Sequence, residues 1–377
     1  MSPRQAVGVE IEGRRLELSN LDKVFYPATG FTKGQVIDYY QRIAPALLPH
    51  LRDRPLTLKR YPGGVEGPFF YEKRCPAHRP AWVRTAEVWS SVSEDVIHFC
   101  VVDDLATLIW AVNLADLEMH TYLHRAPQVE RPTALVFDLD PGAPADAVQC
   151  CEVALLLRDL FDRLGLQAFP KSSGSKGLQV YVPLNSPVDY DATKAFARAV
   201  AELLERERPE LVVSSMKKEL RVGRVLVDWS QNDRHKTTVC VWSLRAKERP
   251  TVSTPLRWGE VEAALGARDP AQILIEAPEA LGRFAKEGDL FAPVLTLQQR
   301  LPALERLAGG ASPRRKTVRS EAAPAGPAVP AASAGARRGA RSEAPARPRT
   351  RKAGPGGRRP PQGHRPHAAG DGYVPAD

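Results

Sequence analysis

Two hydrophobic periods alternate along the chain. After Thr32, which can cap a helix, Val36, Ile37, Tyr40 and Ile43 fall on one face at helical spacing. The apolar run from Leu135 to Asp140 reads as a buried strand. Past the Pro141-Gly142 turn, Asp146 can open a long helix through Val153, Leu156, Leu157, Leu160 and Phe161, ending at Gly165. Leu178 to Val182 is a second strand, followed by a helix from about Asp191 to Arg206, a strand-like stretch at Leu211 to Ser214 and a strand at Val225 to Trp229. The last helical patterns lie near Trp258 to Leu265 and Leu297 to Leu307. No fixed-period repeat interrupts this order, so the pattern predicts a mixed α/β (α+β) body rather than a solenoid.

That pattern stops near Leu307 to Ser312. Residues 312–377 hold 11 prolines among 66 residues, with Val318, Val329, Tyr373 and Val374 as the only larger apolar side chains. Such a segment cannot bury enough surface to offset its ordering entropy, so the expected organisation is a catalytic domain over 1–311 and a disordered basic tail over 312–377. Charge follows the same boundary: the tail carries 14 basic and 4 acidic residues, a net +10, and leaves 39 basic and 40 acidic residues, a net −1, upstream. A basic groove in the body must therefore come from local arrangement. Cys75, Cys100, Cys150, Cys151 and Cys240 include no C-x-x-C pair and no His spacing suited to zinc, and are read as reduced thiols. No stretch approaches the roughly 18 apolar residues of a membrane span, and the N-terminus lacks an apolar signal region, so the expected location is cytoplasmic.

In Leu135-Val136-Phe137-Asp138-Leu139-Asp140, strand geometry sends Asp138 and Asp140 to one face. Like charges so close require a neutralising partner, and oxygen-only ligands suit Mg²⁺ or Mn²⁺; a solvated Asp-x-Asp at a strand-to-turn junction fits the same six residues. Asp228 ends the apolar run Val225-Leu226-Val227 in the same way, as a third metal ligand or as the ion-pair partner of Arg224. Three strand-borne acids could hold the metal pair of an in-line displacement. Between the two acidic strands, Lys171-Ser172-Ser173-Gly174-Ser175-Lys176-Gly177 feeds the strand Leu178 to Val182. Small-residue loops of this kind expose backbone N–H groups to phosphate, although this one is not a Walker A loop, and a plain connection fits it as well.

Taken together, DLDPG, SSGSKGLQVYVPL and RVGRVLVDWSQN with SLR following resemble the three motifs of the archaeo-eukaryotic primase superfamily, specifically the polymerase domain of bacterial DNA ligase D. The resemblance runs from about Leu18 to Arg306 and includes LSNLDKVFYPATGFTKGQVIDYY near the start and LEMH before the first acidic strand. It implies a primase-type core with a central mixed or antiparallel sheet. It also implies a template-directed DNA polymerase or primase, dependent on Mn²⁺ or Mg²⁺, tolerant of ribonucleotides and acting on broken or gapped DNA in non-homologous end joining. Asp138, Asp140 and Asp228 match the metal-binding catalytic acids. His120, Ser173, Lys176, Gln179, Arg221 and Arg245 match positions around the incoming nucleotide. Asn20, Lys23 and Lys33 match the pocket for a 5′-phosphate, and Phe69 and Phe70 match aromatic residues that stack near the template.

Without that resemblance, His120 reads as an ordinary histidine at a helix end, Lys23 and Lys33 as solvated charges, and Phe69 and Phe70 as core. Gln179 stands where the family usually has histidine, and it cannot carry positive charge towards a triphosphate. The chain lacks the K-x-D-G motif of a nucleotidyl-transferring ligase, so the expected partners are Ku and a separate DNA ligase, together with nucleoside triphosphates, 5′-phosphorylated gapped DNA and the bacterial nucleoid, with no membrane. Two other readings remain open: a haloacid-dehalogenase-type phosphatase, from Phe-Asp-Leu-Asp after an apolar strand, and a non-catalytic DNA-end binding factor.

Overall fold

The structure, a computed structural model, describes residues 6–90 and 94–308. Among these, a five-stranded sheet has the order Phe169–Ser172, Leu178–Pro183, Ala134–Pro141, Val225–Asp228, Val212–Val213. Its pairs are antiparallel except the last, which is parallel. Alternation along the central strand divides its two faces. Leu135, Phe137 and Leu139 join Leu178, Val180 and Val182 in a core with helices Ala147–Leu164 and Tyr190–Glu207. Val136 and Tyr181, on the opposite face, belong to a second core shared with a larger antiparallel sheet.

That larger sheet has the order Thr238–Val239, Asp116–Thr121, Pro55–Arg60, Asp95–Val101, Thr85–Ser90, with Phe70–Glu72 also pairing to Pro55–Arg60. Helices Lys33–Leu51 and Leu105–Asn113 pack in its core. The acid-bearing face of the first sheet is therefore turned towards the second sheet, and its helix-covered face away from it.

Local signals account for the helix ends. Thr32 and Gln35 form a capping box at Lys33–Leu51, and Asp146 and Gln149 form another at Ala147–Leu164. The latter helix stops where Gly165 adopts a left-handed conformation. Asp189 caps Tyr190–Glu207. The strand expected at Leu211 to Ser214 is reduced to Val212–Val213, and Trp229 lies in a 3₁₀ turn beyond Asp228.

Two expectations are corrected. Leu297 to Leu307 is not one helix: short helices cover Pro293–Thr296 and Glu305–Ala308. Between them Gln299 is bound along the sheet edge, its N–H donating to the Leu184 carbonyl and its side chain bonding to Gln167 and Pro183. Nor are all five cysteines thiols, because Cys75 and Cys100 form a disulfide, with Cα atoms 4.9 Å apart. The Cys75 N–H donates to the His98 carbonyl, and this long-range contact brings Cys75 beside strand Asp95–Val101. Cys150, Cys151 and Cys240 are free and buried. Among the described residues, no helix is long and apolar enough to cross a membrane. The expected basic tail, 312–377, lies outside the described residues, as does its boundary.

Candidate active site

Strand register builds the site. Lys171 pairs with Gln179, Gln179 with Asp138 and Asp138 with Asp228, so these four side chains form one row across four strands. Asp140 lies two residues beyond Asp138 on the same face. Burial, then Asp140, then Asp228 push the Asp138 carboxyl well above the ordinary carboxylate range. Asp140 has solvent-accessible surface but is closely surrounded by protein; burial and Asp228 raise it, while Arg221, Arg245 and Lys176 pull it down. The acids thus repel one another and face cations from three separate segments.

The backbone permits this only because two glycines lie at close approaches. A Cβ on Gly177 would sit 1.9 Å from the Leu139 carbonyl oxygen, and one on Gly142 would sit 1.9 Å from that of Arg221. The Ser/Gly loop therefore lies against the first acidic strand, and the Arg221 segment against the turn that follows it. Within the loop, Ser173 Oγ accepts from the N–H groups of Ser175 and Gly177, both at 3.2 Å, and Lys176 is exposed. Arg245 donates to the Ser173 carbonyl, and Arg221 to that of Met216. A cavity of about 430 Å³ borders the same loop, lined among others by Pro141, Ser172, Lys176 and Leu274; none of the three acids lines it.

Oxygen-only donors at Asp138, Asp140 and Asp228 fit a hard divalent cation, and the Asp138 carboxyl, raised first by burial and then by Asp140 and Asp228, is one that a bound cation would favour in its charged form. Among the described residues, no group of three His, Cys, Asp or Glu side chains is gathered closely enough to enclose an ion as it stands. Asp228 Oδ1 accepts from Ser230 N (2.8 Å) and Ser230 Oγ (2.5 Å), and Oδ2 from Gln231 Nε2 (3.1 Å), which leaves Oδ2 a lone pair for a cation. Its expected alternative partner, Arg224, instead donates to the carbonyls of Pro209 and Leu220.

Gln179 is 2% exposed and bonds to Thr238 Oγ1 at 2.9 Å, so it braces the row against the second sheet. Lys171 was not singled out from the sequence. It is fully buried, bonds to Ser253 Oγ at 2.6 Å and the Val239 carbonyl at 3.2 Å, and burial lowers its pKa to about 7 against the pull of Asp138. Its register opposite Gln179 is the signal that strand pairing alone could supply.

His120 lies within strand Asp116–Thr121 of the second sheet rather than at a helix end, and its Nε2 is 2.9 Å from Glu118 Oε2. Glu118, also missed, is buried and within ion-pair reach of Lys59 and Arg245 as well. Phe69 and Phe70 are 50% and 44% exposed, which excludes the core reading. Phe69 stacks on Tyr61, with Lys59 Nζ 4.7 Å from its ring centroid, and Arg60 lies over Phe70. Asn20, Lys23 and Lys33 come together through the N–H of Lys23 donating to the Asn20 carbonyl and that of Lys33 to the Lys23 carbonyl. Lys33 is not solvated: it is 4% exposed and donates to the Ser19 carbonyl and Asn113 Oδ1, both at 2.7 Å.

Comparison with known proteins gives a consistent result. Residues 32–291 match the LigD primase-polymerase domain. The multifunctional non-homologous end joining protein LigD of Mycobacterium bovis is 42% identical over 287 residues, 74% of this chain and 36% of that protein. The bifunctional non-homologous end joining protein LigD of Bacillus subtilis is 32% identical over 275 residues, 73% of this chain and 43% of that protein. The chain therefore spans well under half the length of these relatives. The polymerase domain of Mycobacterium tuberculosis ligase D, solved in complex with DNA, superposes with a TM-score of 0.70 at 40% identity, covering 76% of this chain and 99% of that one. These matches displace the phosphatase reading: the chain belongs to the LigD primase-polymerase domain family and is, by that membership, a DNA-directed nucleotidyltransferase.

Proposed function

We propose that the protein is a metal-dependent DNA repair polymerase or primase that inserts nucleotides, ribonucleotides included, at 5′-phosphorylated gaps and broken ends in non-homologous end joining. The observation that carries this reading is the cross-strand row of Asp138 and Asp228 with Asp140 beside it, facing Arg221, Arg245 and Lys176. Asp138, Asp140 and Asp228 would hold Mn²⁺ or Mg²⁺, which when bound supplies charge neutralisation at the acids and Lewis acidity towards phosphate oxygens. Lys176, Arg221, Arg245 and His120 bind the triphosphate, the arginines offering two-pronged donors that phosphate matches. Phe69 and Phe70 offer exposed rings to a template base, a contact that tolerates any sequence. Asn20, Lys23 and Lys33 take the 5′-phosphate. Ku and a DNA ligase activity act with it, at the nucleoid.

The test is incorporation on gapped, 5′-phosphorylated DNA with all eight nucleotides and either Mn²⁺ or Mg²⁺. Wild-type protein extends the primer, and Asp138→Ala reduces extension to background, because one ligand of the acid group is gone. Extension by pure Asp138→Ala at the wild-type rate would remove the acids from the mechanism. DNA binding without any incorporation by the wild type would favour a non-catalytic end-binding factor.

A further inference from the structure

Glu118 lies on strand Asp116–Thr121 two residues before His120, so both side chains leave the same face of the sheet. Its side chain is 1% exposed, and four groups converge on its two oxygens. Oε2 is 2.9 Å from His120 Nε2, 3.2 Å from Lys59 Nζ and 3.3 Å from Arg245 Nε. Oε1 accepts from the Ala246 N–H at 3.0 Å, which fixes the backbone immediately after Arg245. Burial opposes the charge on Glu118, but Arg245, His120 and Lys59 outweigh it and hold the carboxyl well below the usual range.

The charge balance suggests what the cluster is for. One carboxylate faces Lys59 and Arg245, which leaves a net positive charge even with His120 neutral, so the cluster attracts an anion. Without Glu118, Lys59 and Arg245 would repel each other and swing apart. Arg245 also reaches the Ser173 carbonyl with its other end, so its orientation is shared between Glu118 and the Ser/Gly loop. A loss at Glu118 is thereby passed to the loop beside the acids.

We propose that Glu118 is a positioning residue of the nucleotide side of the site: it aims Arg245 before the triphosphate arrives and touches no substrate itself. This rests on the nucleotidyltransferase reading and deepens it. Donors already aimed need no reorganisation when the substrate binds, and that preorganisation is where their contribution to affinity and rate comes from.

The experiment is a double-mutant cycle in the full chain, with ATP varied on the gapped DNA used above. Glu118→Gln should lower kcat/KM for ATP at least tenfold, mainly through KM, with DNA affinity within twofold of wild type. Arg245→Gln should show the same kind of defect. The double variant should be no more than about threefold worse than Arg245→Gln alone, because Glu118 acts through Arg245. Glu118→Asp, which keeps the charge but shortens the reach, should be intermediate, and it carries the same cycle if Glu118→Gln does not fold. Full multiplication of the two single effects, or an unchanged KM beside a lowered unfolding midpoint, would overturn the positioning role and leave a merely structural one. Failure of the wild type to incorporate ATP or any other nucleotide would overturn the nucleotidyltransferase reading, and this inference with it.

Discussion

Lys33 has neutral partners only, the Ser19 carbonyl and hydroxyl and the Asn113 side chain, and it shares its neighbourhood with Lys23. Burial, then Lys23, lowers its pKa to about 8. A group of that kind is mostly charged at pH 7 and mostly neutral at pH 9. If Lys33 binds the 5′-phosphate, the preference for phosphorylated over 5′-hydroxyl gaps should fall on the order of tenfold between those pH values, matching the low end, about 1.5 kcal/mol, of a hydrogen bond to a charged group. Binding titrations of the two DNAs at pH 7, 8 and 9 measure it, with Lys33→Met as the control that starts low and stays flat. A pH-independent preference in the wild type would take Lys33 out of the phosphate pocket. At this scale the sequence was informative where chemistry follows from local geometry, as for Asp138 and Asp140 two residues apart on a strand. It did not single out Glu118 or Lys171, whose surroundings are completed by partners distant in the chain: Lys59 and Ala246 lie 59 and 128 residues from Glu118, and Ser253 lies 82 residues from Lys171.

Elements whose limits are set locally were readable, and those set by distant pairing were not. The helix starts at Thr32 and Asp146 and the stop at Gly165 depend on residues within a few positions, and all three occur where the pattern places them. The larger sheet depends on pairings such as Leu56 with Thr121 and Thr85 with Cys100, which no local period encodes. Leu297 to Leu307 carries a helical spacing that the sheet edge overrides through Gln299. The Cys75–Cys100 bond belongs to the same class. It ties the chain after strand Phe70–Glu72 to strand Asp95–Val101. Closing a loop of 25 residues contributes roughly 3 kcal/mol in the chain-entropy picture, so oxidised protein should unfold at a higher urea concentration than protein kept in a phosphine reductant. Thiol counting on unfolded, unreduced protein should find three reactive cysteines, rising to five after reduction. Five without reductant would mean the bond does not form.

Across the whole molecule, charge and chemistry are divided between different parts of the chain. Residues 1–311 are nearly neutral in sum, and the cations that face Asp140 are gathered by fold: Lys176 from the loop, Arg221 from a 3₁₀ turn and Arg245 from the segment after strand Thr238–Val239. Such a local cluster can orient a triphosphate but gives little long-range attraction to a polyanion beyond a Debye length of about 8 to 10 Å. The net +10 of residues 312–377 is the only large charge excess in the sequence, set in short clusters such as Arg314-Arg315-Lys316, Arg337-Arg338, Arg351-Lys352 and Arg358-Arg359. These residues lie outside the described structure, but their composition is informative: spaced basic clusters bind phosphate without reading base edges, and each phosphate neutralised adds about 0.9 to the slope of log affinity against log salt. Deleting residues 312–377 should therefore weaken binding to gapped DNA and flatten that slope, while turnover at saturating DNA stays within about twofold of the full chain. Fluorescence anisotropy across a salt series, set beside primer extension at saturating DNA, separates the two effects. If the slope is the same with and without these residues, the attraction to DNA resides in the body, and the small cationic cluster around the acids has to account for it alone.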